Sequence, residues 1–258
     1  MSRLRAKCPD CRTFTAVALG PEYECHACGR VFGAGLVRVP RAWGDGGVAM
    51  IESASLPLAY PEAAVIEEDT LGEQTLALAS ELPERPLVLG GCCCVHIGAV
   101  EGLAARQGRI SLVWLDAHGD LNTPATSTSG NPWGMPLRMI VDSGAVAASD
   151  VALVGARNLD PPEEEFIAAS GLHAGLWAVE RAVGGADAAY VALDADALDA
   201  AELSSFMPEP GGIPLAEAEA LLRGIRQLTE VVGVGFSGLT PDPANLAPLE
   251  RLCAALGL

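Results

Sequence analysis

The apolar run ISLVWL breaks off into Asp116, His118 and Asp120, and a second run, AAYVAL, breaks off into Asp194 and Asp196. Each run reads as a buried strand, so these side chains fall at its C-terminal edge, where open α/β sheets place their ligands. Residues two apart share a side as long as strand geometry persists, which would align Asp116 with His118 and Asp120, and Asp194 with Asp196. Four carboxylates that converge in a buried site without a cation repel one another, and some must take up protons. Two divalent cations would match them in charge, and aspartates with one histidine suit hard or borderline metals such as Mn²⁺. Either stretch alone could be a strand-end turn with solvated acids. The recurrence of the pattern at equivalent ends of two strands points to a dinuclear metal site.

A second set of ligands lies near the N-terminus. Cys8 and Cys11, then Cys25 and Cys28, form a paired CxxC arrangement separated by thirteen residues. Two such knuckles supply four thiolates at the roughly 2.3 Å distance that tetrahedral Zn²⁺ requires, in a segment with little core of its own. The spacing resembles a zinc ribbon with one structural Zn²⁺, and His26 inside the second knuckle is not needed as a ligand. Apolar alternation in TFTAVAL and RVFGAGLVRV predicts short strands flanking it. The local charge permits a nucleic-acid or protein partner. With Lys7 as its one lysine and no dense arginine patch, the segment reads rather as a stabilising lid or protein-contact surface.

The elements that hold these residues must come from a chain of 258 residues, enough for one substantial α/β domain and a small module. Half the residues are apolar and 19% are charged, which favours a well-buried fold over disorder. A formal charge of −17 argues against nucleic-acid binding by the body. No apolar run is long enough for a membrane helix and the N-terminus lacks a signal-like segment, so a cytoplasmic protein is expected. Residues 1–41 carry seven Lys or Arg against three acids, leaving nine against thirty beyond them. That break divides the chain into a ribbon module, 1–41, and an α/β domain, 42–258.

Within the second part, Glu67 to Leu82 reads as a helix ended by Pro83, and Pro86 to Leu89 as a strand running through Gly90 and Gly91 into a helix from Val95 to Arg106. After the central DAHGD, residues 121–139 form a polar, turn-rich loop long enough to be functional. Val151 to Val154 is a strand, a helix begins near Pro161 or Pro162, and an edge strand is expected within Leu172 to Val179. Pro214 to Leu228 is an amphipathic helix, Glu230 to Phe236 a strand, and Leu246 to Leu256 a final helix. Such strand–helix alternation predicts a three-layer α/β/α sandwich.

At DAHGDLNTPATSTSGN and DAD the chain resembles the arginase and agmatinase family, the ureohydrolases, over roughly residues 87–241. The resemblance implies an α/β/α sandwich on a mainly parallel sheet, two manganese ions, and attack of a metal-bridging hydroxide on a guanidinium carbon. Carried over by position, it implies Asp116 and Asp194 as bridging ligands, His118 and Asp196 on one ion, and Asp120 on the other while steering the nucleophile. It implies Asn122, Ser129 and Asn131 toward a substrate α-carboxylate, and Asp160 with Glu163 toward its α-amino group. An amino-acid-like small molecule is therefore the expected substrate. Homo-oligomers are frequent in the family, and the ribbon could engage a protein partner.

Three departures bear on the chemistry. Cys93 stands where the family has a histidine ligand; a thiolate there would move the metal preference from Mn²⁺ toward Zn²⁺ or Fe²⁺. His96, one turn further, is an alternative ligand. Trp133 replaces a histidine assigned to proton transfer, which indole cannot perform, though it can stack on a planar group. Gly238 replaces a glutamate, so ordinary arginine hydrolysis is not expected. The leading expectation is a metal-dependent hydrolase cleaving a non-peptide C–N bond of an arginine-related or modified amino acid. A noncatalytic, metal-stabilised binding or regulatory protein is the competing one.

Overall fold

The computed structural model describes residues 4–175 and 177–258. Strands β1 (Arg5–Ala6), β2 (Ala16–Leu19), β3 (Glu22–Cys25) and β4 (Val31–Phe32) form a small antiparallel sheet in that order. There follow β5 (Gly35–Val39), α1 (Val48–Ile51), β6 (Glu62–Val65), α2 (Leu71–Glu81), β7 (Pro86–Gly90), α3 (Val95–Gln107) and β8 (Ile110–Leu115). Helix α4 (Pro136–Ser143), β9 (Val151–Val154), α5 (Pro161–Ser170), β10 (His173–Ala174) and α6 (Ala178–Val183) come next. The chain closes with β11 (Ala188–Asp194), α7 (Leu215–Leu228), β12 (Glu230–Ser237) and α8 (Leu246–Leu256).

The larger sheet has the order β10-β9-β8-β11-β12-β7-β5-β6, with every pairing parallel. Alternate residues of its strands feed two separate cores. On β8, Val113 and Leu115 join Leu87, Leu89 and the helices α6, α7 and α8, whereas Leu112 and Trp114 join Val88, Tyr190 and the helices α2, α3 and α4. Burial on both faces explains why these strands read as continuous apolar runs rather than as alternating ones. The expected three-layer sandwich is what forms. None of the described helices is long and apolar enough to cross a membrane.

One expectation changes. Gly35–Val39 was read with the strands flanking the cysteine knuckles, but it pairs with β7 and β6 inside the large sheet. The charge break at Arg41 therefore does not mark the edge of the fold; partner choice in a parallel sheet is non-local, and charge composition does not encode it. The expected edge strand forms within Leu172 to Val179: among the described residues there, His173–Ala174 is strand at the end of the large sheet, and α6 begins at Ala178.

The small sheet docks where strands begin. Lys7 and Glu62, the first residue of β6, exchange backbone hydrogen bonds of 3.0 and 2.9 Å. Gly35, the first residue of β5, lies under the Tyr23 ring, and a Cβ there would sit 2.7 Å from that ring and 3.0 Å from Pro83. Asp116 and Asp194 lie at the other end of the sheet, so the cysteine module does not cover them. Gly35→Ala is expected to overpack this contact and cost about 1–3 kcal/mol. A urea unfolding midpoint equal to that of the parent would show that the module docks more loosely than the geometry states.

Candidate metal centre

Four consecutive neighbours in the sheet, β8, β11, β12 and β7, deliver the candidate site from their C-terminal ends. Strand geometry stops at Leu115, so the three side chains that follow do not converge by alternation as expected. They converge by a turn. The Asp116 amide still donates to Val154, Oδ1 of Asp116 then accepts from the His118 amide at 2.8 Å, and Asp120 adopts φ of +52°. A left-handed backbone costs a non-glycine residue about 1–2 kcal/mol, and aspartate tolerates it better than most. On β11, Asp194 is the last strand residue, and its Oδ1 accepts from the Asp196 amide at 3.1 Å, so a 3₁₀ turn brings Asp196 alongside.

All four carboxylates are buried, and they meet in one cavity of about 250 Å³ that His118 and Cys93 also line. Two triads have donor atoms within 4.8 Å of one another: Cys93, Asp116 and Asp120, and Asp116, His118 and Asp196. Asp116 belongs to both. Asp194 lies outside the two triads but beside the first, its Oδ2 accepting from Cys93 Sγ at 2.8 Å. His118 Nδ1 lies 3.1 Å from Asp196 Oδ2 and 3.4 Å from Asp116 Oδ1, and its Nε2 lies 3.6 Å from Glu209 Oε1.

The electrostatics favour a bound cation. Burial, reinforced by neighbouring carboxylates, raises Asp120 well above the usual range and Asp194 to about 7, and burial also raises Asp116 and Asp196. At His118 burial opposes the charge, but Asp116 and Asp196 override it and hold the imidazolium up to about 11. Burial and then Asp194, Asp120 and Asp116 push the Cys93 thiol well up, so only a cation would ionise it in place. Oδ2 of Asp120 is buried without a hydrogen-bond partner. An unpaired buried carboxylate oxygen facing oxygen, nitrogen and sulphur donors fits a pair of divalent ions.

The residues expected to hold substrate divide. Asn122, Ser129, Trp133, Asp160 and Glu163 line the cavity. Asn131 is not among the lining residues; its Oδ1 accepts from the Asp45 amide at 2.8 Å and braces the turn there. Asp160 and Glu163 form the capping box of α5, with Glu163 also accepting from the Leu121 amide at 2.9 Å, while Asn122 donates to Asp160 Oδ2 at 2.9 Å. These side chains therefore pin the loop as well as face the cavity. Among the described residues no lysine or arginine lines it, and Met50, Trp133, Phe206 and Met207 add apolar surface.

His96, the alternative ligand, does not line the cavity and belongs to neither triad. It is buried on α3, with Nδ1 3.1 Å from the Tyr190 hydroxyl and Nε2 3.2 Å from Ser237 Oγ, and burial lowers its pKa to about 3. Residues not anticipated include Ser237, which donates to Asp194 Oδ2 at 3.0 Å, and Trp114, whose indole donates to Asp116 Oδ2 at 3.0 Å. Strand parity could have flagged Trp114, two residues before Asp116; the one hydroxyl ending VVGVGFS could have flagged Ser237.

The four N-terminal cysteines form a third ligand group, also with donor atoms within 4.8 Å. Its knuckles are equivalent turns: Arg12 N donates to Cys8 O at 3.0 Å and Gly29 N to Cys25 O at 2.7 Å, with φ of +58° and +74° at those two donors. Arg30 clamps Asp10 with both contacts at 2.9 Å, tying one knuckle to the other.

A family model described as the arginase family matches residues 47–246. The arginase of Bacillus caldovelox is 29% identical over 199 residues, 66% of this chain and 67% of that one. An arginase of Staphylococcus aureus (strain MRSA252) is 39% identical over 92 residues, but the match spans 32% of this chain and only 30% of that protein. In three dimensions the chain is similar to arginase from Bacillus subtilis, with a TM-score of 0.75 at 23% identity, covering 87% of this chain and 98% of that one.

Gly238 provides a direct check of the centre. Its φ is +66°, and a Cβ built there would run into the carboxylate of Asp194. Gly238→Ala is expected to destabilise the protein by about 1–3 kcal/mol and to lower metal retention together. Equal metal content and an equal unfolding midpoint in this variant would contradict the close approach.

Proposed function

This chain belongs to the arginase family, and from that membership and the cavity described above we propose that it is a metal-dependent hydrolase acting on a guanidino-type C–N bond. One observation carries the reading: two ligand triads share Asp116 in a single buried cavity, with Asp194 beside them. Asp116 and Asp194 would lie between two ions, His118 and Asp196 would complete one, and Asp120 with Cys93 the other. When bound, such ions supply Lewis acidity and a water that ionises near neutral pH. Asp120, whose buried Oδ2 has no hydrogen-bond partner, would in this reading help hold its ion and orient that water. Mn²⁺ suits the oxygen and nitrogen side, and the sulphur of Cys93 draws the other half toward Zn²⁺ or Fe²⁺.

The substrate in this reading is an arginine-related or modified amino acid. Asp160 and Glu163 offer an acidic end for its ammonium group, and Asn122 and Ser129 offer neutral polar groups for its carboxylate. Gly238 brings no acid to the reacting end, and Trp133 with Phe206, ring centroids 6.3 Å apart, offers an aromatic surface to a planar, less charged terminus. The cysteine module is read as a structural Zn²⁺ site held by Cys8, Cys11, Cys25 and Cys28. The departures at Cys93, Trp133 and Gly238 equally motivate a second reading, a noncatalytic member that keeps its metals and binds a ligand without turning it over.

Screening guanidino, ureido and amidino amino acids for release of urea or ammonia separates the two readings, since turnover of none by metal-loaded protein leaves only the second. Asp194→Ala is expected to abolish hydrolysis and to lose one or both body ions while keeping the ribbon ion. Full body-metal content in that variant by elemental analysis would falsify the bridging assignment. Cys93→His is expected to strengthen Mn²⁺ binding relative to Zn²⁺, and an unchanged preference would remove the thiol from the ligand set.

A further inference from the structure

The proposed bridging carboxylates, Asp116 and Asp194, each accept a hydrogen bond from a buried donor that does not line the cavity. For Asp194 the donor is Ser237, 3.0 Å away, and for Asp116 it is the Trp114 indole, also at 3.0 Å. Both donors converge on one side chain. His96 Nε2 lies 3.2 Å from Ser237 Oγ, and the His96 ring meets Trp114 edge-on with centroids 5.1 Å apart and planes at 77°.

We propose that His96 is a positioning residue that sets the orientation of both bridging carboxylates, through Ser237 on one side and Trp114 on the other. The proposal rests on the metal-site reading given above.

The protons along this chain can be ordered. Ser237 has one hydroxyl proton and gives it to Asp194, so it must accept from His96 Nε2–H. A neutral imidazole then leaves Nδ1 as an acceptor, which the Tyr190 hydroxyl fills at 3.1 Å. Burial keeps the ring neutral, consistent with that order. All three hydrogen bonds therefore run one way, from Tyr190 through His96 and Ser237 to Oδ2 of Asp194. Since Oδ1 accepts from the Asp196 amide, the carboxylate is held at both oxygens; Oδ2 also accepts from Cys93 Sγ, a contact that would give way to a cation held by the thiolate. Asp116 is fixed in the same manner, with Oδ1 accepting from the His118 amide and Oδ2 from Trp114.

The fold leaves room for this chain at one glycine. A Cβ on Gly235 would run into the Tyr190 hydroxyl and lie 2.7 Å from His96 Cε1. Ser237 also lies 3.3 Å from Cys93 Sγ, so losing its ordering partner would free its proton to turn from the carboxylate to the sulphur.

The test is Mn²⁺ titration of the full chain with its ribbon metal in place, followed by the electron paramagnetic resonance of free Mn²⁺. The melting temperature of each protein before Mn²⁺ is added, with the ribbon metal still in place, serves as the control for folding. Ser237→Ala and His96→Leu are expected to weaken Mn²⁺ binding about 10–100-fold, with Tyr190→Phe shifting it the same way by less. His96→Gln, whose amide can still donate to Ser237, is expected to retain more affinity than His96→Leu. Parental affinity in Ser237→Ala and Tyr190→Phe would overturn the proposal and leave the metal site standing. So would losses of affinity that only follow losses of melting temperature. A parent that binds no Mn²⁺ outside the ribbon would overturn both.

Discussion

Mutual repulsion among Asp116, Asp120, Asp194 and Asp196 is the constraint around which this molecule is built. At an effective dielectric of about 20, two unit charges 4 Å apart repel by about 4 kcal/mol, so a few such pairs rival the roughly 5–15 kcal/mol by which whole domains are stable. The parallel sheet makes the cluster possible by fixing β8 beside β11 along six registered pairs, so that Asp116 and Asp194 leave adjacent strands at the same level. Backbone amides at His118, Ala117 and Asp196 then soften the charge from below. What these dipoles leave uncompensated is concentrated at Asp120, whose buried oxygen has no protein partner.

That residual charge is unevenly shared between two halves. On one side an imidazole meets two carboxylates, with Glu209 behind it; on the other a thiol meets carboxylates and a hydroxyl. The first half is hard and the second soft, so the two positions need not prefer the same ion. Apolar side chains and the acidic capping box of α5 line the same cavity as these two halves. A ligand there meets charge and apolar surface together, and His118 is the one basic side chain among the described lining residues that engages the carboxylates.

Much of this was legible from residue order. The strands that carry Asp116 and Asp194, the helices α3, α7 and α8, and the paired knuckles all follow from apolar runs, caps and cysteine spacing. What residue order did not carry is non-local. Gly35–Val39 looks like a ribbon strand because it continues one in sequence, and only its partners β6 and β7 show otherwise. The convergence at Asp120 depends on a left-handed turn rather than on strand parity. Asn131 sits in a substrate-loop motif, yet its Oδ1 accepts from the Asp45 amide, far away in sequence. His96 could be seen as a histidine near a metal; that both its nitrogens are occupied depends on β11 and β12 lying beneath α3.

Gly238 shows why such departures are not independent of one another. Read in sequence, it is a glutamate that has been lost, and restoring the acid would be expected to restore a charged pocket. In the structure the glycine adopts a left-handed backbone, receives the Phe206 amide at 2.7 Å and leaves no room for a Cβ beside Asp194. A side chain at 238 would first displace a proposed metal ligand, and only then could it reach a substrate. The position of Asp194, the Ser237 hydroxyl that holds it and the seating of Phe206 are therefore set by the same backbone turn. A side chain at 238 would therefore disturb the Asp194 carboxylate and the cavity beside it together.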